Sequence, residues 1–415
     1  MIQGHGDDAF RFGRPMVANF SSNVYAHVDL EPLKAHLRQR LDVIGRYPEP
    51  EPYSLERALA VRLGIDPDAV CVTNGATEAI YLTAHAFTGS RTTILQPTFN
   101  EYADACTLFA HSVSPVSSEQ ASAPGATGTV RCYKHSPRTN LGCSTMPSHS
   151  LLFGESSALR SLSASDRNCG WHLGREHFSA SGTNARAMKG APMGMTDGGK
   201  PGMTMWLCNP NNPTGSVVPK EQIVAAIEEN PETVFVIDQS YGFFTKEPLL
   251  TAAEAVGYPN VVQLHSMTKR YAIPGLRLGY VTANPTLLER IRAVRMPWSV
   301  NALAIEAGLY LCEHLDTGLI NLDALLAETR RLREALNALP GLSAEPTQTH
   351  FFLCHLAEGS AADLKQWLAE RHGILIRDAS NFEGLDAGHF RIATQTAEEN
   401  DALVAAVKQY LEERL

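Results

Sequence analysis

The 415 residues are 44% hydrophobic and 19% charged, which supports a sizeable core in two or three domains and excludes global disorder. The formal charge of −9, from 35 Lys and Arg against 44 Asp and Glu, argues against nucleic acid or an anionic membrane surface as a partner. No apolar run nears the roughly 18 residues of a membrane span, no charged and then apolar leader opens the chain, and eight scattered Cys form no C-x-x-C pair. A cytoplasmic protein with reduced thiols and no structural zinc is therefore expected.

The first 45 residues read as an N-terminal arm. Ala69 to Thr73 is a short β run, followed by Asn74-Gly75-Ala76-Thr77-Glu78 and a helix over Ala79 to Phe87. Thr92 to Leu95 is a second strand. From Ser117 to Met203 the texture breaks: these 87 residues hold one Val, Val130, and no Ile. They carry nine Lys and Arg against five Asp and Glu, a net of +4, so the other 328 residues carry −13. So few β-branched apolar residues build little strand, and the window reads as a disordered insertion or a sequence artefact, dispensable for ligand binding. Its Cys169, His172 and His177 fall short of a ligand set, and no metal is expected.

The alternation then resumes. Met205 to Cys208 is a strand ending at Asn209-Pro210-Asn211-Asn212-Pro213-Thr214-Gly215, Lys220 to Glu229 a helix, and Thr233 to Ile237 a strand ending at Asp238. Val261 to Leu264 and Leu278 to Thr282 are further strands. Strands interleaved with helices imply a mostly parallel sheet covered on both faces, with ligands beyond the carboxyl ends of the strands. After about Asn284 the texture turns α+β: a long helical stretch over Ser299 to Leu336, strands at Phe351 to Cys354, Ile374 to Ile376 and Phe390 to Ile392, and helices at Ala361 to Glu370 and Ala397 to Glu413. The expected division is arm 1–45, large domain 46–284 and small domain 285–415.

Polar residues gather at the strand ends. Asn74-Gly75-Ala76-Thr77-Glu78 offers backbone N–H groups at a helix start, a phosphate site or an ordinary βα turn. Asp238 is a metal ligand, a base, a partner for a buried cation, or a helix cap. Lys269, in Ser266-Met267-Thr268-Lys269-Arg270, is a Schiff-base lysine if other cations depress its pKa, and otherwise a solvated one. Arg277, between Leu and Gly residues, suits a buried phosphate or a carboxylate.

Asn-Asn-Pro-Thr-Gly, Asp-x-x-Tyr, and Ser-x-Thr-Lys followed by Gly-Leu-Arg-Leu-Gly resemble, at these spacings, the fold type I pyridoxal-phosphate enzymes of the aminotransferase class I/II family. The resemblance covers nearly the whole chain outside 117–203. It implies an α/β fold like that of aspartate aminotransferase, with a seven-stranded, mostly parallel sheet and a smaller α+β domain. It implies that Lys269 carries pyridoxal 5'-phosphate and shuttles protons, that Asp238 pairs with the pyridinium, and that Tyr102 stacks on the ring. Asn212 and Tyr241 would bond the ring's phenolic oxygen, and Gly75, Ala76, Thr77, Ser266, Thr268 and Arg277 would hold the phosphate. Arg391 matches a substrate α-carboxylate clamp and Arg377 a substrate-phosphate arginine. Tyr47 matches a tyrosine reaching the neighbouring subunit's site, which implies a homodimer. Ser240 departs from the Ala usual behind the ring.

Two branches compete. Histidinol-phosphate aminotransferases and the L-threonine-O-3-phosphate decarboxylases of cobalamin synthesis share the phosphorylated substrate pocket. His5-Gly6, the segment Asn19 to Asn23, Tyr271 to Gly275, Met296 to Ala302 and Asn381 to Asp386 resemble the decarboxylase more, which adds His5, Gly6 and Asn23 to the expected substrate contacts. A non-catalytic homologue is opposed by the intact Lys269, Asp238 and Arg277.

Overall fold

In the computed structural model, residues 7–117, 202–314 and 320–414 are described. The expectations for His5, Gly6 and nearly all of the 117–203 window, including Cys169, His172 and His177, lie outside the described residues.

Apolar runs flanked by turn residues make thirteen strands among the described residues. In chain order they are β1 (Ala18–Asn19), β2 (Val70–Thr73), β3 (Arg91–Gln96), β4 (Ser112–Ser117), β5 (Met203–Cys208), β6 (Thr233–Asp238) and β7 (Val261–Ser266). Then follow β8 (Gly279–Ala283), β9 (Leu342–Ala344), β10 (Phe351–Leu356), β11 (Ile374–Leu375), β12 (Arg377–Asp378) and β13 (His389–Ala393). Seven of them form one sheet in the order β2-β8-β7-β6-β5-β3-β4. Only β8 runs against its neighbours.

Alternate residues of the central strands feed two cores, as the strand period of two demands. Trp206, Cys208, Val236, Val262 and Leu264 face one side, packed with the helices Gly75–Ala86, Glu101–Leu108 and Pro285–Arg292. Met205, Leu207, Phe235, Ile237 and Val261 face the other, under the helix Lys220–Glu229. Both faces are covered, so the strands are apolar throughout. A third core sets the helices Tyr53–Leu63 and Ala302–His314 over β2, joining Leu55 and Leu59 to Val70, Val72 and Leu311. There Glu56, 3% exposed, accepts from Val72 N–H (3.0 Å), Arg292 (3.1 Å) and Arg295 (3.0 Å).

β4 was not foreseen. Its Ser-Val-Ser-Pro-Val-Ser sequence reads as turn, yet it pairs with β3 at the sheet edge, where a proline is tolerated. The single helical stretch expected over 299–336 is two helices, Ala302–His314 and Leu322–Asn337. Asn321 starts the second by accepting from Ala324 N–H with its side chain.

The second sheet has the order β12-β13-β10-β9. Its Phe352, Cys354, Phe390 and Ile392 pack on the helices Leu322–Asn337, Ala361–His372 and Ala397–Glu412. The N-terminal segment joins it: β1 pairs parallel with β11, and Phe20 is buried in the same core.

Candidate active site

The carboxyl ends of the parallel strands place the polar residues together. β2 ends at the start of the helix Gly75–Ala86, β5 at Asn209 to Asn212, β6 at Asp238, and β7 at the short helix Met267–Arg270 that carries Lys269. β8 runs the other way, so Arg277, two residues before it, arrives at the same edge. With Arg377 and Arg391 from the second sheet, they line a cavity of about 440 Å³.

One end of the cavity is an anion cradle. Asn74 puts no side-chain cap on the helix that follows, and its backbone N–H donates to Glu78 Oε2 at 2.5 Å. The first-turn amides have no intrahelical acceptor, and Ala76 and Thr77 of that turn line the cavity. Gly75 has φ +83°, and a Cβ there would lie 2.5 Å from Arg277 Nη2. A Cβ on Gly279 would lie 2.7 Å from Ala76 N, so β8 packs directly against the helix start. Ser266 Oγ and Thr268 Oγ1, 2.7 Å apart, complete the wall.

At the middle stands Asp238, 4% exposed. It caps no helix. Oδ1 accepts from Ser240 N–H (2.8 Å) and Oδ2 from the Tyr102 hydroxyl (2.7 Å). Burial raises its pKa, opposed by the Ser240 and Tyr102 hydrogen bonds and by Lys269. Tyr102 is held between Phe99 and Trp206, with ring centroids 5.9 and 5.7 Å away. It was expected as a stacking ring; what the structure shows is a hydroxyl that fixes the carboxylate, a role its spacing did not suggest.

Lys269 donates from Nζ to the Ser22 carbonyl at 2.7 Å. Burial, Arg391 and Arg277 push its ammonium down to about 8, against Asp7 and Asp238. The nearby cations required of a Schiff-base lysine are thus in place.

The other end of the cavity is doubly cationic. Antiparallel pairing of β12 and β13 sets Arg377 directly opposite Arg391. Arg391 is 4% and Arg377 6% exposed. Arg391 donates to Asn212 Oδ1 and to the Ser21 carbonyl, and Arg377 to Asn381 Oδ1 (2.8 Å) over the Phe382 ring. Burial, with Arg377 adding repulsion, brings Arg391 down to about 9, although Tyr241 opposes the shift. Like charges opposed across a ladder destabilise it unless an anion lies between them.

Of the other expected residues, Asn212 and Tyr241 line the cavity. Asn23 is fully buried, with φ 52°, and its side-chain amide lies near the Tyr241 phenol without a hydrogen-bond partner. Tyr47 is not brought to the site: it is 87% exposed and packs its ring 5.7 Å from Trp298. Missed by sequence were Ser21, Ser22, Asp7 and Phe382, which lie in or next to segments singled out only for their likeness to one branch.

The cavity fits pyridoxal phosphate. The cradle that a Cβ at Gly75 would fill suits a phosphate, and the buried Asp238 would pair with a protonated ring nitrogen, with Lys269 in the same cavity. Residues 15–127 and 195–407 match the family "Aminotransferase class I and II", whose members depend on this cofactor. The solved L-threonine-O-3-phosphate decarboxylase of Porphyromonas gingivalis is similar over 95% of this chain and 100% of its own, with 33% identity and a TM-score of 0.74. The threonine-phosphate decarboxylase of Salmonella typhimurium is 27% identical over 397 residues, 95% of this chain and 91% of its own. A histidinol-phosphate aminotransferase of Thermoanaerobacter pseudethanolicus is 34% identical over 209 residues, 50% of this chain, which spans 57% of that relative's length. Among the described residues, no helix is long and apolar enough to cross a membrane. The chain belongs to the aminotransferase class I and II family of pyridoxal-phosphate-dependent proteins.

Proposed function

We propose that this chain decarboxylates a phosphorylated amino acid, L-threonine O-3-phosphate, to (R)-1-amino-2-propanol phosphate for cobalamin synthesis. The observation that carries the reading is the opposition of Arg377 and Arg391 in one cavity. Two buried guanidinium groups call for two anions on one ligand, and an amino acid bearing a phosphate supplies a carboxylate and a phosphate. The likeness to decarboxylases along nearly the whole chain supports the same choice.

The cofactor, when bound, supplies an electron sink for the pair left on Cα as a bond breaks. The rest is done by side chains. Arg377 would take the substrate phosphate and Arg391 the α-carboxylate, so that the substrate would be anchored at both ends. Asp238, fixed by Tyr102 and Ser240, holds a proton on the ring nitrogen. Lys269 Nζ binds the cofactor and later returns a proton to Cα. Asn212, bonded to Arg391, ties substrate and cofactor contacts together.

A second reading, an aminotransferase of the histidinol-phosphate type, is favoured by the match to such enzymes over half the chain, and 2-oxoglutarate is also doubly anionic. Holoenzyme incubated with L-threonine O-3-phosphate, and separately with histidinol phosphate and 2-oxoglutarate, distinguishes them. CO₂ and aminopropanol phosphate from the first mixture support decarboxylation. Glutamate from the second supports transamination. Neither product, with the absorbance of the bound cofactor intact, refutes both.

The reading includes a homodimer in the cytoplasm. Ile44, Tyr47, Met296 and Trp298 are 70%, 87%, 74% and 50% exposed, an apolar patch fit for a second copy, which would carry Tyr47 towards the neighbouring site. Cys71, Cys106, Cys208 and Cys354 are buried thiols, as a reducing compartment favours.

A further inference from the structure

Away from the cavity, the second sheet carries a group the proposed reaction does not use. The register of β10 and β13 sets His355 directly opposite His389, and their rings lie 4.4 Å apart at 49°. Asp386 turns back beneath them, its Oδ1 held by Gly388 N–H at 2.9 Å. That oxygen lies 3.1 Å from His355 Nε2 and 2.8 Å from His389 Nδ1. A Cβ at Gly388 would sit 2.9 Å from His355 Nε2, so the absence of a side chain there lets the ring reach the carboxylate.

Two imidazole nitrogens thus converge on one carboxylate oxygen, with all three atoms within 4.8 Å of one another. His389 Nδ1 also lies 3.2 Å from the backbone N–H of Asp386. A ring nitrogen presents either a proton or a lone pair in its plane, never both. If bare, it accepts the N–H and meets the anionic Oδ1 lone pair to lone pair. The 2.8 Å approach then needs a positive centre, a proton or a metal ion.

We infer that His355, Asp386 and His389 bind one divalent transition-metal ion, with solvent filling the remaining positions. Two imidazoles and a carboxylate are the donors that zinc and its neighbours take, at about 2.0–2.2 Å, which leaves ligand atoms about 3.3 Å apart on a tetrahedral ion. Small rotations of partly exposed side chains bring the three atoms to that spacing, and the open side admits water. Magnesium and calcium, which prefer oxygen ligands, are poor occupants.

The ion would act on the segment that Asp386 ends. That segment, Ala379 to Asp386, carries Asn381, which accepts from Arg377 through Oδ1 and from Asn100 Nδ2 through its carbonyl (3.0 Å), and Phe382, buried under Arg377. Pinning its far end steadies the support of Arg377 without touching the cavity.

The test is calorimetric titration of chelator-treated, cofactor-loaded full-length protein with ZnCl₂, with MgCl₂ as control. One zinc per chain at micromolar affinity or tighter is expected, with a rise in Tm and no response to magnesium. His389→Ala and His355→Gln are each expected to weaken that site at least 30-fold while keeping the cofactor absorbance, which shows that the fold survives. Absence of zinc binding means that protons alone satisfy the carboxylate, and overturns the proposal. Zinc bound equally by both variants places the ion elsewhere and overturns it too. The readouts are independent of catalysis, so failure here leaves the proposed reaction standing, and the reverse.

Discussion

Replacing Gly75 by alanine separates two costs that the cofactor cradle combines. The residue sits at φ +83°, where a Cβ costs about 1–2 kcal/mol whether or not anything is bound. That part lowers the stability of the apoprotein. The new methyl also lies 2.5 Å from Arg277 Nη2 and 3.1 Å from Cζ, so the guanidinium must move. Moving it sacrifices a charge-assisted contact to the cofactor phosphate, worth about 1.5–3 kcal/mol, or roughly 10- to 150-fold in the dissociation constant. Pyridoxal phosphate titrated into apoprotein, followed by absorbance, reads the second cost, and urea unfolding of the apoprotein the first. The expected result is a weaker cofactor and a less stable apoprotein. A dissociation constant within twofold of wild type, with stability reduced, would refute the assignment of Arg277 and the helix start to the phosphate.

Other perturbations test other parts. Lys269 loses its proton near 8 when folded, against 10.5 as a free side chain, and only the neutral amine captures the cofactor. The capture rate is expected to climb as pH rises towards about 8 and then level off; a rate flat from pH 6 to 9 contradicts the depressed value. From about 8 to 10.5 the unfolded chain binds the extra proton at this group, so its contribution makes the apoprotein more stable as pH rises over that interval. Glu56→Ala strips the buried partner from Arg292 and Arg295 and is expected to cost about 3–5 kcal/mol in urea unfolding; a loss under about 1 kcal/mol counts against a structural role for this cluster. Trp298→Asp puts a charge beside Tyr47 in the exposed apolar patch and is expected to convert a dimer to monomer in light scattering. An unchanged dimer would place the interface elsewhere.

Much of the site was legible because its residues follow strands. Asp238, Lys269 and the Asn74-Gly75 turn each come just after an apolar run, and strand ends in a parallel sheet share one edge. Arg277 was legible through its Leu and Gly neighbours, although its arrival at that edge depends on β8 running backwards. The pairing of Arg377 with Arg391 depends on register, and no local pattern states which residues of two short strands stand opposite each other. Tyr102 shows a related limit. It was singled out as a stacking ring, but a hydroxyl donated to a carboxylate 136 residues away is a tertiary fact. β4 hid because an edge strand needs neither an apolar face nor a proline-free backbone. His355 and His389 gave no signal for the same reason as the arginines: only the ladder brings them together.

The central claim is that the opposed arginines recognise an amino acid through its phosphate. The direct measurement is the ratio of kcat/KM for CO₂ release from L-threonine O-3-phosphate to that from L-threonine, in wild type and in Arg377→Gln. The charge-assisted contact of Arg377 to the phosphate, about 1.5–3 kcal/mol, predicts a preference of roughly 10- to 150-fold in wild type, largely lost in the variant. Equal rates on both substrates, or a preference that survives the substitution, would contradict it.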